Sequence, residues 1–321
     1  MESIDELIKI VNLEKTVSKM CDFIKSEITN RFQRSGAVIG LSGGIDSAVS
    51  AALCTKALGS GNVLGLILPE KESDSSSQIH AEKLAKQLKI KSETVDITSI
   101  LDSFGVYRYK EEIIKSKFPR FNHNCKYRVV VPPKLKSVIG IPFLELLDEK
   151  NNLHKLKISS SEFLTLTAAT SIKHRIRMTM LYFYGEKNNR CIIGTTNKSE
   201  YVQGYFVKYG DGGSDIEPLV NLYKLQVYQL GNFLKVPREI LDKDASPDVW
   251  SFSTTDEEFF YSVPYSVVDL MIYAEENNLT TTRIQQLSKL SQEEVESLLK
   301  IHRQKQTKSQ HMRETPHGWI P

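Results

Sequence analysis

The fold of this chain is decided by one stretch, AVIGLSGGIDSAV, at residues 37–49. Its apolar run, residues 37–41, is typical of a strand that is buried on both faces of a parallel sheet. A turn of small residues follows at 42–44, and we predict a helix over residues 46–58. Paired glycines let a backbone approach a ligand closely, and the unpaired N–H groups at a helix N-terminus bind anions. The stretch therefore predicts a phosphate site at the end of the first core strand.

Three polar residues in and after this turn suit a nucleotide. Ser42 and Ser47 supply hydroxyl groups, and Asp46 supplies a carboxylate of the kind that holds magnesium. A strand–helix turn with a serine cap is the ordinary explanation, because glycine pairs are common. The complete pattern SGGxDS after a buried strand is more specific, and it favours a nucleotide site.

Strand and helix patterns alternate around this turn. Residues 62–68 and 93–97 have the pattern of strands, and residues 78–88 that of a helix capped by Ser73 or Ser75. The alternation predicts an α/β fold, a doubly wound parallel sheet with helices on both faces and ligands at the carboxyl ends of the strands. Apolar residues at helical spacing near the N-terminus predict one or two amphipathic helices there.

Composition is that of an ordinary globular protein. The 42 basic and 39 acidic residues give a net charge of +3, which argues neither for nor against a nucleic-acid partner. The four cysteines lie far apart in the sequence, without the spacing of a zinc ribbon or a disulfide framework. With no bilayer-length apolar run and no basic N-terminal leader, the sequence predicts a cytoplasmic protein without a membrane partner.

The regular alternation stops over residues 105–162, where lysines and arginines are interleaved with aromatic residues. Such a segment can bind nucleic acid or phosphate. We favour the alternative, a solvated insertion whose aromatic residues form a small core of their own, because long connecting segments often have this composition. We expect a helix from about residue 165 and another strand at 190–194, followed by a second polar turn.

Two further stretches carry a density of glycine, carboxylate and aromatic residues that packing does not explain. They are CIIGTTNKSE at 191–200 and GYFVKYGDGGSDIEP at 204–218. Together with SGGIDS at 42–47 and KHRIRM at 173–178, they resemble the N-type ATP pyrophosphatases and, among these, the ammonia-dependent NAD synthetase family. The resemblance covers residues 20–104 and 165–260. It implies one Rossmann-like ATP pyrophosphatase domain over 1–321, with the insertion at 105–162 and a C-terminal lid and helical region at 247–321.

The resemblance also implies roles for individual residues. The residues that would bind ATP are Ser42, Gly43, Gly44, Asp46, Ser47, Arg175, Thr195, Lys224 and Ser246. Those that would act in catalysis are Asp46, Lys173 and Lys224, with Asp46 and Glu200 as ligands of Mg²⁺. The residues that would contact the second substrate are Phe206, Lys208, Asp211, Asp215, His311 and Arg313.

The implied reaction is ATP-dependent amidation of a carboxylate through an acyl-adenylate, with deamido-NAD and ammonia as substrates. The ammonia would be free or come from a separate glutaminase, and the enzyme would be a homodimer. Two departures from the family leave alternatives open: Met312 stands where the family has lysine, and the 105–162 segment is long. The alternatives are a different carboxylate, a tRNA-modifying pyrophosphatase, and a nucleotide-binding protein without activity. The absence of paired cysteines makes the tRNA enzyme, and a nucleic-acid partner in general, less favoured.

Overall fold

The computed structural model describes residues 2–130 and 142–319 of the chain. Strands in this part are β1 (Ala37–Gly40), β2 (Val63–Ile67), β3 (Lys91–Thr94), β4 (Lys126–Val130), β5 (Phe143–Leu147), β6 (Leu153–Lys157) and β7 (Cys191–Ile193). The α-helices are α1 (Ile4–Ile8), α2 (Leu13–Ser26), α3 (Ile45–Leu58), α4 (Ser75–Leu88), α5 (Thr98–Ser103), α6 (Val106–Lys117), α7 (Ser160–Lys187), α8 (Lys198–Gln203), α9 (Lys224–Phe233), α10 (Arg238–Leu241), α11 (Tyr265–Glu276), α12 (Thr281–Ser288) and α13 (Gln292–Arg313). Glu27–Arg31 and Glu257–Tyr261 form π-helical turns.

The central element is a sheet of four parallel strands in the order β3-β2-β1-β7. Ala37 of β1 pairs with Val63 of β2 on one side and with Cys191 of β7 on the other. The chain moves outward from β1 through β2 to β3, then returns to add β7 on the opposite side. The loops after β1 and β7 therefore lie beside each other at the point where the strand order reverses, which is where α/β sheets bind ligands.

Alternate side chains of the sheet enter two separate cores. Ile39 packs in one core with residues of α2, α3 and α9, while Val38 packs in the other with residues of α5 and α7. The strands are apolar on both faces because helices cover both. The predicted doubly wound parallel sheet is confirmed.

Several predicted element boundaries were wrong, among them those of α4 and β3. Helix α4 begins at residue 75, three residues early, because Asp74 caps it by accepting a hydrogen bond from the Ser76 backbone at 2.9 Å. Strand β3 ends at Thr94, since the Asp96 carboxylate accepts a hydrogen bond from the Thr98 amide and turns the chain into α5.

The segment 105–162 has more regular structure than the sequence pattern predicts. Residues 148–152 have the composition of a turn between short strands, and they do connect β5 to β6, but α6 and β4 were not predicted. The segment contains α6 and an antiparallel sheet in the order β4-β5-β6. Its aromatic residues do form a core, in which Tyr127 packs beside Phe118, Phe121 and Trp250. All five residues of β6 are exposed, so the alternation that marks a half-buried strand is missing there. The Val-Pro-Pro run at 131–133 lies outside the described residues.

Helix α7 begins at Ser160 rather than near 165, and it runs for 28 residues. Its start is fixed by a capping box, in which Ser159 and Glu162 each bond the other's backbone N–H. The C-terminal helices α11, α12 and α13 share a further core that includes Leu270, Ile284 and Val295. None of the helices in the described ranges is long and apolar enough to cross a bilayer.

Candidate active site

A cavity of about 1130 Å³ opens at the carboxyl ends of β1 and β7, where the strand order reverses. The loop before α3 forms one wall, the 204–211 loop another, and residues 244–249 a third. Most of the predicted site residues line it: Ser42, Gly44, Asp46, Ser47, Arg175, Thr195, Glu200, Phe206, Lys208, Asp211, Lys224, Ser246 and His311. The structure thus brings residues from six separate stretches of sequence to one place: 42–47, 175, 195–211, 224, 246 and 311.

The loop before α3 presents hydrogen-bond donors to the cavity. Gly44 is the N-cap residue of α3 and provides no side chain for the free N–H groups of the first helical turn. The Ser47 hydroxyl lies 3.0 Å from that of Ser42 and also donates to the Gly44 carbonyl at 3.0 Å. Free amides, two hydroxyls and the positive end of the helix dipole together form an anion site.

Gly43 holds this loop against α4. Its φ is +76°, a conformation that residues with a Cβ rarely adopt. A Cβ built there would lie 2.2 Å from the carbonyl oxygen of Ser77, in the first turn of α4. Gly43 does not line the cavity itself. It shapes the loop at residues 42–44, called the phosphate loop below, by letting that loop pack closely against α4.

Asp46 lies in the first turn of α3 and makes two side-chain contacts. One carboxylate oxygen accepts a hydrogen bond from Lys224 Nζ at 2.5 Å, and the other accepts from Asn197 Nδ2 at 2.8 Å. Lys224 Nζ also lies 3.6 Å from Glu200 Oε1. Helices α3, α8 and α9 therefore each contribute one charged side chain to a single cluster.

The electrostatics of this cluster favour an additional cation. Burial raises the pKa of Glu200 well above its ordinary value, and the charge of Asp46 raises it further. Burial would lower the pKa of Lys224, but the charges of Asp46 and Glu200 outweigh it and raise that pKa. The buried Asp256 faces the same ammonium, so three carboxylates share one lysine.

The donor set suits a magnesium ion that is also held by phosphates. Over residues 2–130 and 142–319, no group of three or more His, Cys, Asp or Glu side chains could hold a metal alone. Mg²⁺ in nucleotide sites typically takes one or two protein carboxylates and completes its coordination with phosphates and water. Asp46 and Glu200 match that requirement.

The loop after α8 forms the opposite wall. The ring of Phe206 stacks on that of Tyr201, with centroids 5.7 Å apart and planes 11° apart. The Asp211 carboxylate accepts the Val207 N–H at 2.9 Å. Lys208 Nζ donates to the carbonyl oxygens at the end of α13, namely those of His311 at 2.7 Å and Glu314 at 2.9 Å.

Besides Gly43, three more predicted site residues do not line the cavity. Lys173 is fully buried, and its ammonium is bound by Glu70 and Glu72, so the structure does not place it at the reacting atoms. Asp215 accepts hydrogen bonds from the Ile192 N–H and the Tyr182 hydroxyl, which ties the loop to β7 and α7. Arg313 donates to backbone carbonyls of α8 and α13.

The sequence reasoning missed Asn197 and Asp256. Asn197 caps α8 by accepting the Glu200 N–H at 3.0 Å while its amide group donates to Asp46. Asp256 accepts hydrogen bonds from the hydroxyls of Tyr205 at 2.8 Å and Tyr265 at 2.7 Å. For Asn197 the sequence does contain an N-cap signal, an Asn three residues before a Glu. For Asp256 there is no local signal, because its partners are tyrosines from other parts of the chain.

Known proteins match the chain over almost its whole length. The family model described as NAD synthase matches residues 16–133 and 144–316. This chain belongs to the NAD synthase family. Among curated relatives, the NH(3)-dependent NAD(+) synthetase of Mesorhizobium japonicum is 34% identical over 285 residues, which are 88% of this chain and 89% of the relative.

Solved structures in the NAD synthase group agree with this membership. The NH3-dependent NAD synthetase of Campylobacter jejuni is 26% identical, with a TM-score of 0.64, covering 97% of this chain and 100% of that one. The NMN synthetase of Francisella tularensis is 27% identical, with a TM-score of 0.67, covering 96% and 99%. The NAD synthase match includes residues 105–133 and 144–162, which were predicted as an insertion, so that division of the chain stays a prediction.

Proposed function

We propose that this protein makes NAD from deamido-NAD and ammonia, with ATP converted to AMP and pyrophosphate. The observation that carries the proposal is that the phosphate loop and the 204–211 loop line one cavity of about 1130 Å³. That volume exceeds the range of about 300–1,000 Å³ that is typical of a pocket for one small ligand, as a site for two substrates requires. Membership of the NAD synthase family and the similarity to NH(3)-dependent relatives support the same reaction.

The chemistry requires charge neutralisation and positioning rather than a side-chain nucleophile. A carboxylate oxygen of the substrate attacks the α-phosphorus of ATP, the α,β-phosphoanhydride bond breaks, and pyrophosphate leaves. Ammonia then attacks the carbonyl carbon of the acyl-adenylate, and AMP leaves as a proton is released. Orientation of the reactants and preorganised charges account for the rate in such reactions.

The residues of the cavity fit these requirements. The free amides at the start of α3 and the hydroxyls of Ser42 and Ser47 would hold the departing pyrophosphate. Arg175 also lines the cavity, and its Nε donates to the Lys208 carbonyl oxygen of the 204–211 loop at 3.3 Å. Asp46 and Glu200 would hold Mg²⁺, which supplies Lewis-acid neutralisation of phosphate charge when bound. Lys224 keeps those two carboxylates in place.

An isotope experiment tests the acyl-adenylate. The purified enzyme is supplied with ATP, magnesium, ammonium and deamido-NAD in which both carboxylate oxygens are ¹⁸O. We expect pyrophosphate, AMP and NAD in equal amounts, with one ¹⁸O in each AMP, because the attacking carboxylate oxygen departs with the phosphate. Formation of ADP, or of AMP without label, would contradict the mechanism.

A second candidate substrate is the shorter nicotinate mononucleotide. The similarity to the Francisella tularensis protein, whose name is NMN synthetase, is as strong as that to the Campylobacter jejuni NAD synthetase. The same carboxylate would react, so the mechanism would be unchanged. The values of kcat/KM for deamido-NAD, for nicotinate mononucleotide and, as a nucleic-acid control, for tRNA distinguish these candidates. We expect kcat/KM for deamido-NAD to be at least ten times that for the mononucleotide.

The assembly proposed is a homodimer in a reducing compartment. Large apolar side chains of α7 are solvent-exposed in the single chain, among them Leu164 and Phe183. All four cysteines are free thiols. Sedimentation at micromolar concentration would measure a mass near 73 kDa for two copies, or 36.5 kDa if the proposed dimer does not form.

A further inference from the structure

Beside the cavity lies a buried group of four charged side chains, Glu70, Glu72, Lys110 and Lys173, which we call the charge cluster. The side chains of Glu70, Lys110 and Lys173 are fully buried, and that of Glu72 is 8% exposed. Two positive and two negative charges make the cluster neutral. Its members come from three places in the sequence: the loop after β2, helix α6 and helix α7.

Every carboxylate oxygen of the charge cluster has a donor. Lys173 Nζ lies 2.7 Å from Glu70 Oε1 and 2.6 Å from Glu72 Oε2, and Lys110 Nζ lies 2.5 Å from the same Glu72 oxygen. The hydroxyls of Tyr107 and Tyr127 donate to the remaining oxygens of Glu70 and Glu72. The contacts form one connected network rather than separate pairs.

Both lysines of the charge cluster also hold a loop that lines the cavity. Lys110 Nζ and Lys173 Nζ each donate to the carbonyl oxygen of Val249 at 3.2 Å. Val249 ends the segment 244–249, which has neither helix nor strand and carries Ser246 on the cavity wall. A backbone hydrogen bond from the Asp256 N–H to the Ala245 carbonyl oxygen, at 2.9 Å, holds the beginning of this segment, and the two lysines hold its end.

The two glutamates belong to a second loop that lines the cavity, residues 69–74, and they connect that loop to the charge cluster. Within it, the Glu72 N–H donates to Glu70 Oε2 at 3.1 Å, and the Glu70 N–H donates to the Ser73 hydroxyl at 3.2 Å. At its end, the Asp74 N–H donates to Asp248 Oδ1 at 3.0 Å, so the two loops also touch each other.

Stability alone does not account for such a cluster. Burying four charges costs desolvation energy, and apolar side chains of similar volume commonly give equal or greater stability. What apolar residues cannot do is hold the Val249 carbonyl from two directions. The charge cluster therefore contributes the position of the Val249 carbonyl rather than additional stability.

We propose that the charge cluster is a positioning device that fixes segment 244–249 on the cavity wall and thereby sets the affinity for ATP. Lys110 and Lys173 act through Val249, without touching the nucleotide. The proposal rests on the proposed function only in taking the cavity as an ATP site. It also gives Lys173 a role that differs from the catalytic one predicted from the sequence.

The test is a charge-balanced double variant, Lys110→Met with Glu72→Gln. It keeps the Glu70–Lys173 pair and the net charge of the cluster, but it removes one of the two donors to Val249. We expect a melting temperature close to that of the wild type and an ATP dissociation constant, measured by calorimetry with magnesium, raised about tenfold. That factor corresponds to a segment that is correctly placed in one molecule out of ten. At saturating ATP, kcat should be largely retained.

A matched control removes another ion pair between the same two helices. Lys117 of α6 pairs with Glu162 of α7 at 2.9 Å, and neither residue lines the cavity. The double variant Lys117→Met with Glu162→Gln should bind ATP as the wild type does. A folded charge-cluster variant whose ATP dissociation constant stays within twofold of the wild type would overturn the proposal. An equal rise of the ATP dissociation constant in the two double variants would also overturn it.

Hydrogen exchange on the unmodified protein provides a measurement that needs no variant. A shared anchor requires the amides of Glu72, Asp74 and Asp248 to open in one step, with equal exchange free energies across denaturant concentrations. Separate opening energies for the two loops would contradict the proposal. A wild-type protein that failed to bind ATP would refute the proposed function instead, while this exchange result would still decide whether the anchor exists.

Discussion

At the scale of single residues, several groups that the sequence predicted together do lie together, because they occur in short, distinctive patterns. Asp46 and Glu200 were expected at one place, and both lie beside Lys224. Lys173 was expected at the same place because the family resemblance, carried in part by residues 173–178, implied it. On a helix, residues two apart lie on different faces, so Arg175 reaches the cavity while Lys173 enters the buried cluster.

Asp46→Asn tests the charge at the phosphate loop. The amide keeps the shape of the side chain but cannot balance Lys224 or hold a cation, so we expect kcat/KM to fall about 100-fold or more. The circular dichroism spectrum should not change. Asp242→Asn, an exposed change on α10, provides the control. Activity within threefold of the wild type would contradict the assigned role of Asp46.

Glu217→Gln tests a second buried carboxyl group. Burial raises the pKa of Glu217 to about 8 from an ordinary 4.5, although hydrogen bonds from Ser214 and the Thr196 N–H lower it. The folded state thus favours the protonated acid. Its stabilising contribution is complete below pH 4.5 and is lost as the pH rises through about 8.

Urea unfolding at pH 5 and at pH 8 measures this contribution. The decrease in the free energy of unfolding between the two pH values should be smaller in the Glu217→Gln variant than in the wild type. The exposed change Glu293→Gln on α13 should leave the decrease as it is in the wild type. An identical pH dependence in all three proteins would show that Glu217 does not titrate in this range.

At the scale of secondary-structure elements, strands were predicted correctly where the sequence has a clear apolar pattern. Strands β1 and β2 are continuous apolar runs, and their positions were predicted to within a residue. In the segment 105–162 the sequence indicated only the turn at 148–152; β6 is exposed throughout, so it lacks the alternation of a half-buried strand. The order of this segment comes from contacts across the fold, such as Tyr127 with Trp250, which sequence spacing cannot reveal.

Gly43→Ala tests the packing of the phosphate loop on α4. The added methyl group combines a left-handed backbone with a clash against the Ser77 carbonyl, and we expect a loss of about 2–5 kcal/mol in the free energy of unfolding. Gly59→Ala is the matched control, because its φ is +81° but nothing lies within 4 Å of its Cβ. It should cost only about 1–2 kcal/mol. Equal losses from denaturant titrations of the two variants would show that α4 does not constrain the loop.

At the scale of the whole molecule, the C-terminal helix completes the site. The end of α13 is held by Lys208 and, through Arg313, by the Tyr201 carbonyl, and it places His311 and Met312 on the cavity wall. No local sequence signal connects residue 208 with residues a hundred positions later. That the C-terminus closes over the site was expected only because the family resemblance implied it.

A chain that ends at Gln310 tests this closure. It loses the carbonyl acceptors of Lys208 and the wall formed by His311 and Met312, so the KM for deamido-NAD should rise about tenfold or more. The lost hydrogen bonds should cost about 1–2 kcal/mol of stability. A chain that ends at Pro316 keeps those acceptors and that wall, and the described residues that it loses, 317–319, are exposed, so it should keep the wild-type KM. If both shortened chains behave alike, the end of α13 does not close the site.

Helix α7 imposes a restriction on how this protein can evolve. Its 28 residues span about 42 Å, with Leu166 in the core of the 105–162 segment and Gly185 against Ile192 of β7. Deleting one residue between those ends would rotate one half of the helix by about 100° relative to the other. Either Arg175 would leave the cavity or Leu166 would leave its core. Related enzymes can therefore substitute side chains along this helix, but its length between the two cores should be invariant.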